Sequence, residues 1–229
     1  MASAGELRRQ RGSSGLGGSS LTTRRDLAPW RVGQSVPGQS SGSGPSDATR
    51  RGRVALVVLL RGVNVGGHRT FRPTALARQL RHLDAVNIGA AGTFVIRRRV
   101  TQAELRAELV SRLPFDTEIM ICQGREVRDL IAQNHFADQP VRPDIVRFVS
   151  VLSRRPRSTP STPLSLPPGG QWVLRILATD NRFVFGVYRR QMKAISYLGQ
   201  LDRLFGVPVT TRNWNTITAI ATVVDAATS

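Results

Sequence analysis

The densest chemistry in the sequence lies in twelve residues, Arg61-Gly62-Val63-Asn64-Val65-Gly66-Gly67-His68-Arg69-Thr70-Phe71-Arg72. Glycines let a backbone approach an oxyanion closely, and amides at a helix start face it. Arg61, His68, Arg69 and Arg72 would add positive charge. The expected chemistry is binding of a small anion, with Arg61, Asn64, Gly66, Gly67, His68 and Arg69 as candidate contacts. The spacing is not a P-loop, because no Gly-Lys-Ser/Thr ending follows, and it is not G-x-G-x-x-G. The competing reading is structural: a strand-to-helix connection that uses glycine for positive φ, with Asn64 satisfying its own backbone. A second stretch, Thr210-Thr211-Arg212-Asn213-Trp214-Asn215-Thr216, poses the same choice. Either Asn213 or Thr211 caps the last helix and Trp214 packs inward, or Arg212, Asn213 and Asn215 form an anion site with Arg212 at its rim.

No catalytic set accompanies these stretches. His68, His82 and His135 stand apart, with no H-x-x-x-H pair and no cysteine cluster, so no zinc site is expected. Cys122 has no histidine near it in sequence and reads as a small buried hydrophobe. Glu104, Glu108 and Glu118 suit surface and capping roles. We therefore expect a protein without cofactor or metal, with binding favoured over catalysis; His68 is the one loop base an enzyme could use.

Composition constrains the partners. The 229 residues carry a formal net charge of +18, from 33 Lys+Arg against 15 Asp+Glu. Lys193 is the one lysine, and the arginines are scattered through tail, helices and strands alike. That scatter fits coding bias better than a dedicated nucleic-acid face, although a field of this sign attracts polyanions in a salt-dependent way. Nucleic acid is thus the alternative partner to a small anion. One cysteine excludes an intramolecular disulfide and suits a reducing cytoplasm. No apolar run is long enough for a membrane helix. Oligomeric state is not readable.

The elements that would position the two stretches follow from periodicity. Residues 1–53 are rich in Gly, Ser and Arg and poor in apolar residues, so we expect a disordered tail. Val54–Leu60 is a continuous apolar run, hence a strand covered on both faces. Pro73 suits a first helical position, and Leu76, Leu80 and Leu83 mark one helix face. Ala85–Ile88 and Thr93–Ile96 read as paired strands around Gly89 and Gly92. Thr101-Gln102-Ala103-Glu104 is a capping box ahead of the Leu105, Leu109, Leu113 stripe. Thr117–Cys122 is a further strand. The order β-α-β-β-α-β predicts a ferredoxin-like (split βαβ) unit over 54–123.

Residues 124–229 read as a second α+β half. A helix is expected over Glu126–Asn134, a strand over Ile145–Leu152, and a long Pro/Ser-rich exposed loop over 153–170. A hairpin of Trp172–Leu177 and Arg182–Val187 comes next. One helix carries Tyr197, Leu198, Leu201, Leu204 and Phe205, stopped by Gly206 and Pro208. The last helix presents Ile217, Ile220, Ala221 and Val224. An RNA-recognition sheet needs aromatics on its central strands. The first strand has none, the third only Phe94, and Phe183 and Phe185 read as a core face.

Leu59-Leu60-Arg61-Gly62-Val63-Asn64-Val65-Gly66-Gly67 and Thr211-Arg212-Asn213-Trp214-Asn215-Thr216 together resemble the two signature ends of a bacterial family, domain of unknown function family 1697. The resemblance spans about Val54 to Val224. It implies an α+β fold of two ferredoxin-like halves with antiparallel sheets, and no activity. Ala91-Gly92-Thr93 stands where many members have Ser-Gly-Asn, His68-Arg69 where many have a lysine, and Asn134-His135-Phe136 where many have Asn-Pro-Phe.

Overall fold

The structure, a computed structural model, describes residues 55–64 and 71–227. The expected disordered tail, and the candidate contacts Gly66, Gly67, His68 and Arg69, lie outside the described residues. All described residues belong to one compact unit.

Two antiparallel sheets face each other across a pair of helices. The first is built from β1 (Leu56–Leu60), β2 (Ala85–Asn87), β3 (Thr93–Ile96) and β4 (Ile119–Gln123), in the order β2-β3-β1-β4. Helices α1 (Pro73–Gln79) and α2 (Gln102–Arg112) are its two crossovers. The second sheet contains β5 (Ile145–Leu152), β6 (Leu164–Leu166), β7 (Leu174–Asp180), β8 (Phe183–Arg189) and β9 (Val209–Asn213), in the order β6-β7-β8-β5-β9. Helices α4 (Lys193–Gly199) and α5 (Leu201–Phe205) join β8 to β9. The connection from β5 to β7 carries β6 where the first sheet has a helix.

Alternation along the strands explains the layers. Leu56, Val58 and Leu60 point outward to Leu76 of α1, Leu80 just past its end, and Leu105 and Leu109 of α2. Val57 and Leu59 point inward, with Val95, Met120 and Cys122. Val149, Val151, Phe183, Phe185 and Val187 of the second sheet join that same core. Between the sheets lie α3 (Gly124–Gln133), through Val127 and Leu130, and α6 (Trp214–Ala226), through Ile217, Ile220 and Val224. The far face of the second sheet packs Phe148, Leu152, Leu174 and Ile176 against Leu201 and Phe205 of α5. Every residue of β1 is buried, which is why it reads as an unbroken apolar run.

Local signals behave as their chemistry requires. Thr101 Oγ1 accepts from the Glu104 amide and Glu104 Oε2 from the Thr101 amide, completing the capping box. Gly89 and Gly92 take φ of +75° and +67° in the β2–β3 turn, a region open to glycine. Two expectations need correction. The segment 153–170 holds the edge strand β6, paired with β7; Pro163 and Pro167 flank it, and prolines are tolerated at an edge. The single helix expected across Tyr197–Phe205 is two, α4 and α5, joined at Gln200.

Cys122 sits in the inner core with 0% exposure, and burial pushes its thiol from the ordinary 9.0 up to about 12. Iodoacetamide is therefore expected to label it only through unfolding, with a rate that climbs with urea as the native state is lost. Rapid labelling in native buffer would contradict this placement. The raised folded value also fixes a sign. The neutral thiol stabilises the fold fully below pH 9, and that contribution is lost as pH rises towards 12.

Candidate functional site

The ends of the two signature runs meet at the Leu60 carbonyl, chiefly through one side chain, with a longer bond of 3.4 Å from Thr210 Oγ1 beside it. Arg212 lies on β9 opposite Val149, on the face that looks into the central layer. It is 7% exposed. A guanidinium has five N–H donors, and all five are used. Nε donates to Thr93 Oγ1 at 2.7 Å. Nη1 donates to Thr210 Oγ1 and to the Thr211 carbonyl, both at 2.9 Å. Nη2 donates to the carbonyls of Leu60 at 2.8 Å and Ala91 at 2.7 Å. No carboxylate is among its partners. Burial pulls the group down from 12.5 to about 10, so it stays charged at neutral pH and is held by oriented dipoles alone. The placement expected for Arg212, at the rim of a site, is thereby corrected. It ties the edge strand of one sheet to the ends of β1 and β3 in the other.

Arg61, one residue past the Leu60 carbonyl that Arg212 holds, reaches back across the same seam. Its Nε donates to the Val209 carbonyl at 3.2 Å, and its Nη2 pairs with Asp202 Oδ2. Asp202 Oδ1 also accepts from the Val209 amide at 2.8 Å. Asn64, at φ 55°, closes its loop: its side chain donates to the carbonyls of Phe71 (3.1 Å) and Ala90 (2.8 Å) and accepts from the Phe71 amide (3.0 Å). Gly92 completes the seam, since a Cβ there would lie 3.0 Å from Leu60 Cβ. Thr93, where many family members carry asparagine, still offers an oxygen to Arg212. Of the described polar residues of the first stretch, Arg61 thus bonds next to the second stretch, at Val209 and Asp202, while Asn64 bonds only to Phe71 and Ala90 around its own loop.

Asn213 caps α6, its side-chain oxygen accepting from the Thr216 amide at 2.8 Å. The strand β9 that delivers this cap was not expected. Its signal was present in the β-branched run Val209-Thr210-Thr211, which follows Pro208. Asn213 and Asn215 border a groove of about 210 Å³ with Arg142, Arg147 and Arg190. Its positive charge is partly spent. Arg142 makes a two-point pair with Asp144 at 2.9 and 3.3 Å, which holds that carboxyl below its ordinary range. Arg147 donates to the Gln139 carbonyl.

A different cavity keeps its charge. It measures about 380 Å³ and is lined by Arg154, Arg157 and Ser158 with the α5–β9 turn from Arg203 to Val207. Arg154, Arg157 and Arg203 are exposed. Among the described residues none of them is hydrogen-bonded or ion-paired through its side chain. Asp202, beside Arg203, is taken by Arg61 and the Val209 amide. In sequence Arg154 and Arg157 read as part of a proline-rich loop, although Arg-Arg-Pro-Arg-Ser places three positive charges within four residues.

Among the described residues no group of His, Cys, Asp and Glu could hold a metal ion, and no helix is long and apolar enough to cross a membrane. His82 pairs with Glu108 at 2.6 Å, and His135 stacks on Phe185 with ring centroids 4.1 Å apart.

A family profile described as "Protein of unknown function (DUF1697)" matches residues 54–170. No curated protein matches the chain. Among solved structures, the chain is similar to a conserved bacterial protein, SP0830 from Streptococcus pneumoniae. That match has a TM-score of 0.49 and 14% identity, over 75% of this chain and 98% of that one.

Proposed function

The chain belongs to the family of unknown function DUF1697, and we propose that it is a binding protein for a small anionic ligand, held in the cavity of Arg154, Arg157 and Arg203. The observation that carries this reading is the convergence of three arginines without described partners on one cavity. Arg212 spends all its donors inside the fold, and Arg61, 38% exposed, is paired with Asp202 and bonded to the Val209 carbonyl. The three cavity arginines spend none on the described residues. The residues expected to bind in the first stretch enter indirectly, because Arg61 occupies the carboxylate that would otherwise neutralise Arg203. The groove beside Asn213 and Asn215 is the weaker alternative, since Asp144 already answers part of its charge.

Exposed charge pairs are each worth about 1 kcal/mol or less, and two-point arginine contacts to an oxyanion more. Removing two of three arginines should therefore weaken binding by about tenfold or more. Titrating orthophosphate by calorimetry at physiological salt tests this. Saturable binding that drops in Arg154→Gln/Arg203→Gln is expected. Binding that is unchanged in that variant, and lost instead in Arg142→Gln/Arg190→Gln, would move the site to the α6 groove.

A further inference from the structure

The cavity just described has a neighbour across a thin ridge. The ridge is Ser153–Thr159, pinned at its middle by Pro156, which is buried between exposed neighbours. On the far side lies a second cavity of about 270 Å³, lined by Arg155, Arg157, Ser158, Thr159, Thr179 and Asn181. The two cavities share Arg157 and Ser158 and no other residue. Arg154 and Arg203 serve only the first, and Arg155 only the second.

The second cavity is positive on its Arg155–Arg157 side, while Asp180, which makes no ion pair among the described residues, leaves a negative charge at its opposite wall. Arg155 is exposed and, among the described residues, its side chain makes no hydrogen bond or ion pair. The nearby acid, Asp180 of the β7–β8 turn, accepts from Gln133 Nε2 at 2.8 Å. Thr179 Oγ1 is buried with no hydrogen-bond partner, in a residue that lines the cavity. Ser158 and Thr159 add two exposed hydroxyls. No aromatic ring lines this second cavity. The one ring of the first, Phe205, is 4% exposed and packed in the core below. A platform for stacking bases is therefore missing, while donors suited to phosphate oxygens stand on both sides of the ridge.

We infer that the site takes a ligand with a chain of linked phosphates, laid across the Arg157–Ser158 ridge with phosphate groups in both cavities. Recognition is of the phosphate chain and not of a base or sugar. This inference rests on the reading above that the first cavity binds an anion. It goes further in requiring Arg155 and the second cavity.

The test uses the full chain at physiological salt and compares short-chain inorganic polyphosphate with orthophosphate by calorimetry. Polyphosphate is expected to bind at least tenfold more tightly per site than orthophosphate. Arg155→Gln should weaken polyphosphate about tenfold and leave orthophosphate unchanged, whereas Arg154→Gln/Arg203→Gln should weaken both. A triple variant on another surface, Arg78→Gln/Arg98→Gln/Arg99→Gln, removes three exposed positive charges and should change polyphosphate affinity less than threefold. If that triple costs as much as Arg154→Gln/Arg155→Gln/Arg157→Gln, net charge alone explains the binding and the inference falls. If Arg155→Gln has no effect while orthophosphate still depends on Arg154 and Arg203, the single-anion reading stands and the linked-phosphate inference falls. Displacement of polyphosphate by a short single-stranded oligonucleotide as readily as by tripolyphosphate would show that the surface takes any polyanion, and the inference falls. Displacement only by tripolyphosphate would support it with a small oligophosphate as the source.

Discussion

Arg212→Ala should lower the unfolding free energy by about 2–4 kcal/mol, the cost of leaving buried acceptors without their donor. The loss is large because of what is left behind. Removing the guanidinium takes a donor from the carbonyls of Leu60, Ala91 and Thr211 and the hydroxyls of Thr93 and Thr210; Leu60 keeps only a long bond of 3.4 Å from Thr210, and Thr93 is fully buried. Each orphaned buried acceptor costs about 1–3 kcal/mol unless water reaches it. Whole domains are stable by only about 5–15 kcal/mol, so the variant should sit near the limit of folding at physiological temperature. Arg212→Lys keeps the charge but offers three donors from one point in place of five from a planar fork, and should recover only part of the loss. Urea denaturation measures both, and the rate of Cys122 labelling gives an independent reading of the same opening.

Gly186→Ala is expected to cost about 3 kcal/mol, at the upper end of what overpacking does. Gly186 sits in the middle of β8, opposite Phe148 on one side and Ile176 on the other. A Cβ there would stand 2.4 Å from Phe148 Cζ and 2.7 Å from the Arg175 carbonyl oxygen. The ring could turn only by disturbing its contact with Tyr188, at 5.8 Å between centroids. The carbonyl belongs to the β7–β8 ladder and cannot retreat without breaking it. Gly199, with nothing within 4 Å of a built Cβ, is the internal control. There alanine should be neutral or slightly stabilising, because it favours the end of α4. Thermal unfolding that shifts equally for the two variants would show that Phe148 does not fill the space above Gly186.

How much of this was legible depended on the range of the interactions. Features set within a few residues were readable. The run that became β1, Pro73 at the head of α1, the Thr101–Glu104 capping box and the strand over Ile145–Leu152 follow from period and local bonding alone. Elements whose partners are remote were obscured. β6 is three residues between prolines and exists because β7 offers it an edge. β9 was hidden by its own last residue, since Asn213 announces a helix start so strongly that the strand leading into it reads as a preamble. The role of Arg212 was out of reach for the same reason. Its acceptors Thr93 and Leu60 are separated from it by 119 and 152 residues, and no spacing rule connects them. Both signature stretches were singled out because they were chemically dense. The density reflects how many bonds must be made where the two sheets lock together.

The cavity arginines show the converse. Arg154, Arg155 and Arg157 were visible in sequence, yet nothing local distinguished them from the scattered arginines elsewhere. What sets them apart is that arginines without described partners converge on adjoining cavities, Arg154, Arg157 and Arg203 on one and Arg155 and Arg157 on the other. That can be known only after Arg61, Arg97, Arg112, Arg142, Arg182 and Arg189 have been matched with their carboxylates.

The central claim is that the two signature stretches form a tie between the sheets, made by Arg212. A double-mutant cycle tests it most directly, with Arg212→Met and Thr93→Val made singly and together and their unfolding free energies measured in urea. Methionine keeps the length of the side chain and removes every donor, and valine keeps the shape of threonine and removes the acceptor. The account predicts a coupling of about 1–3 kcal/mol between the two positions. Free energies that add to within about 0.5 kcal/mol would contradict it.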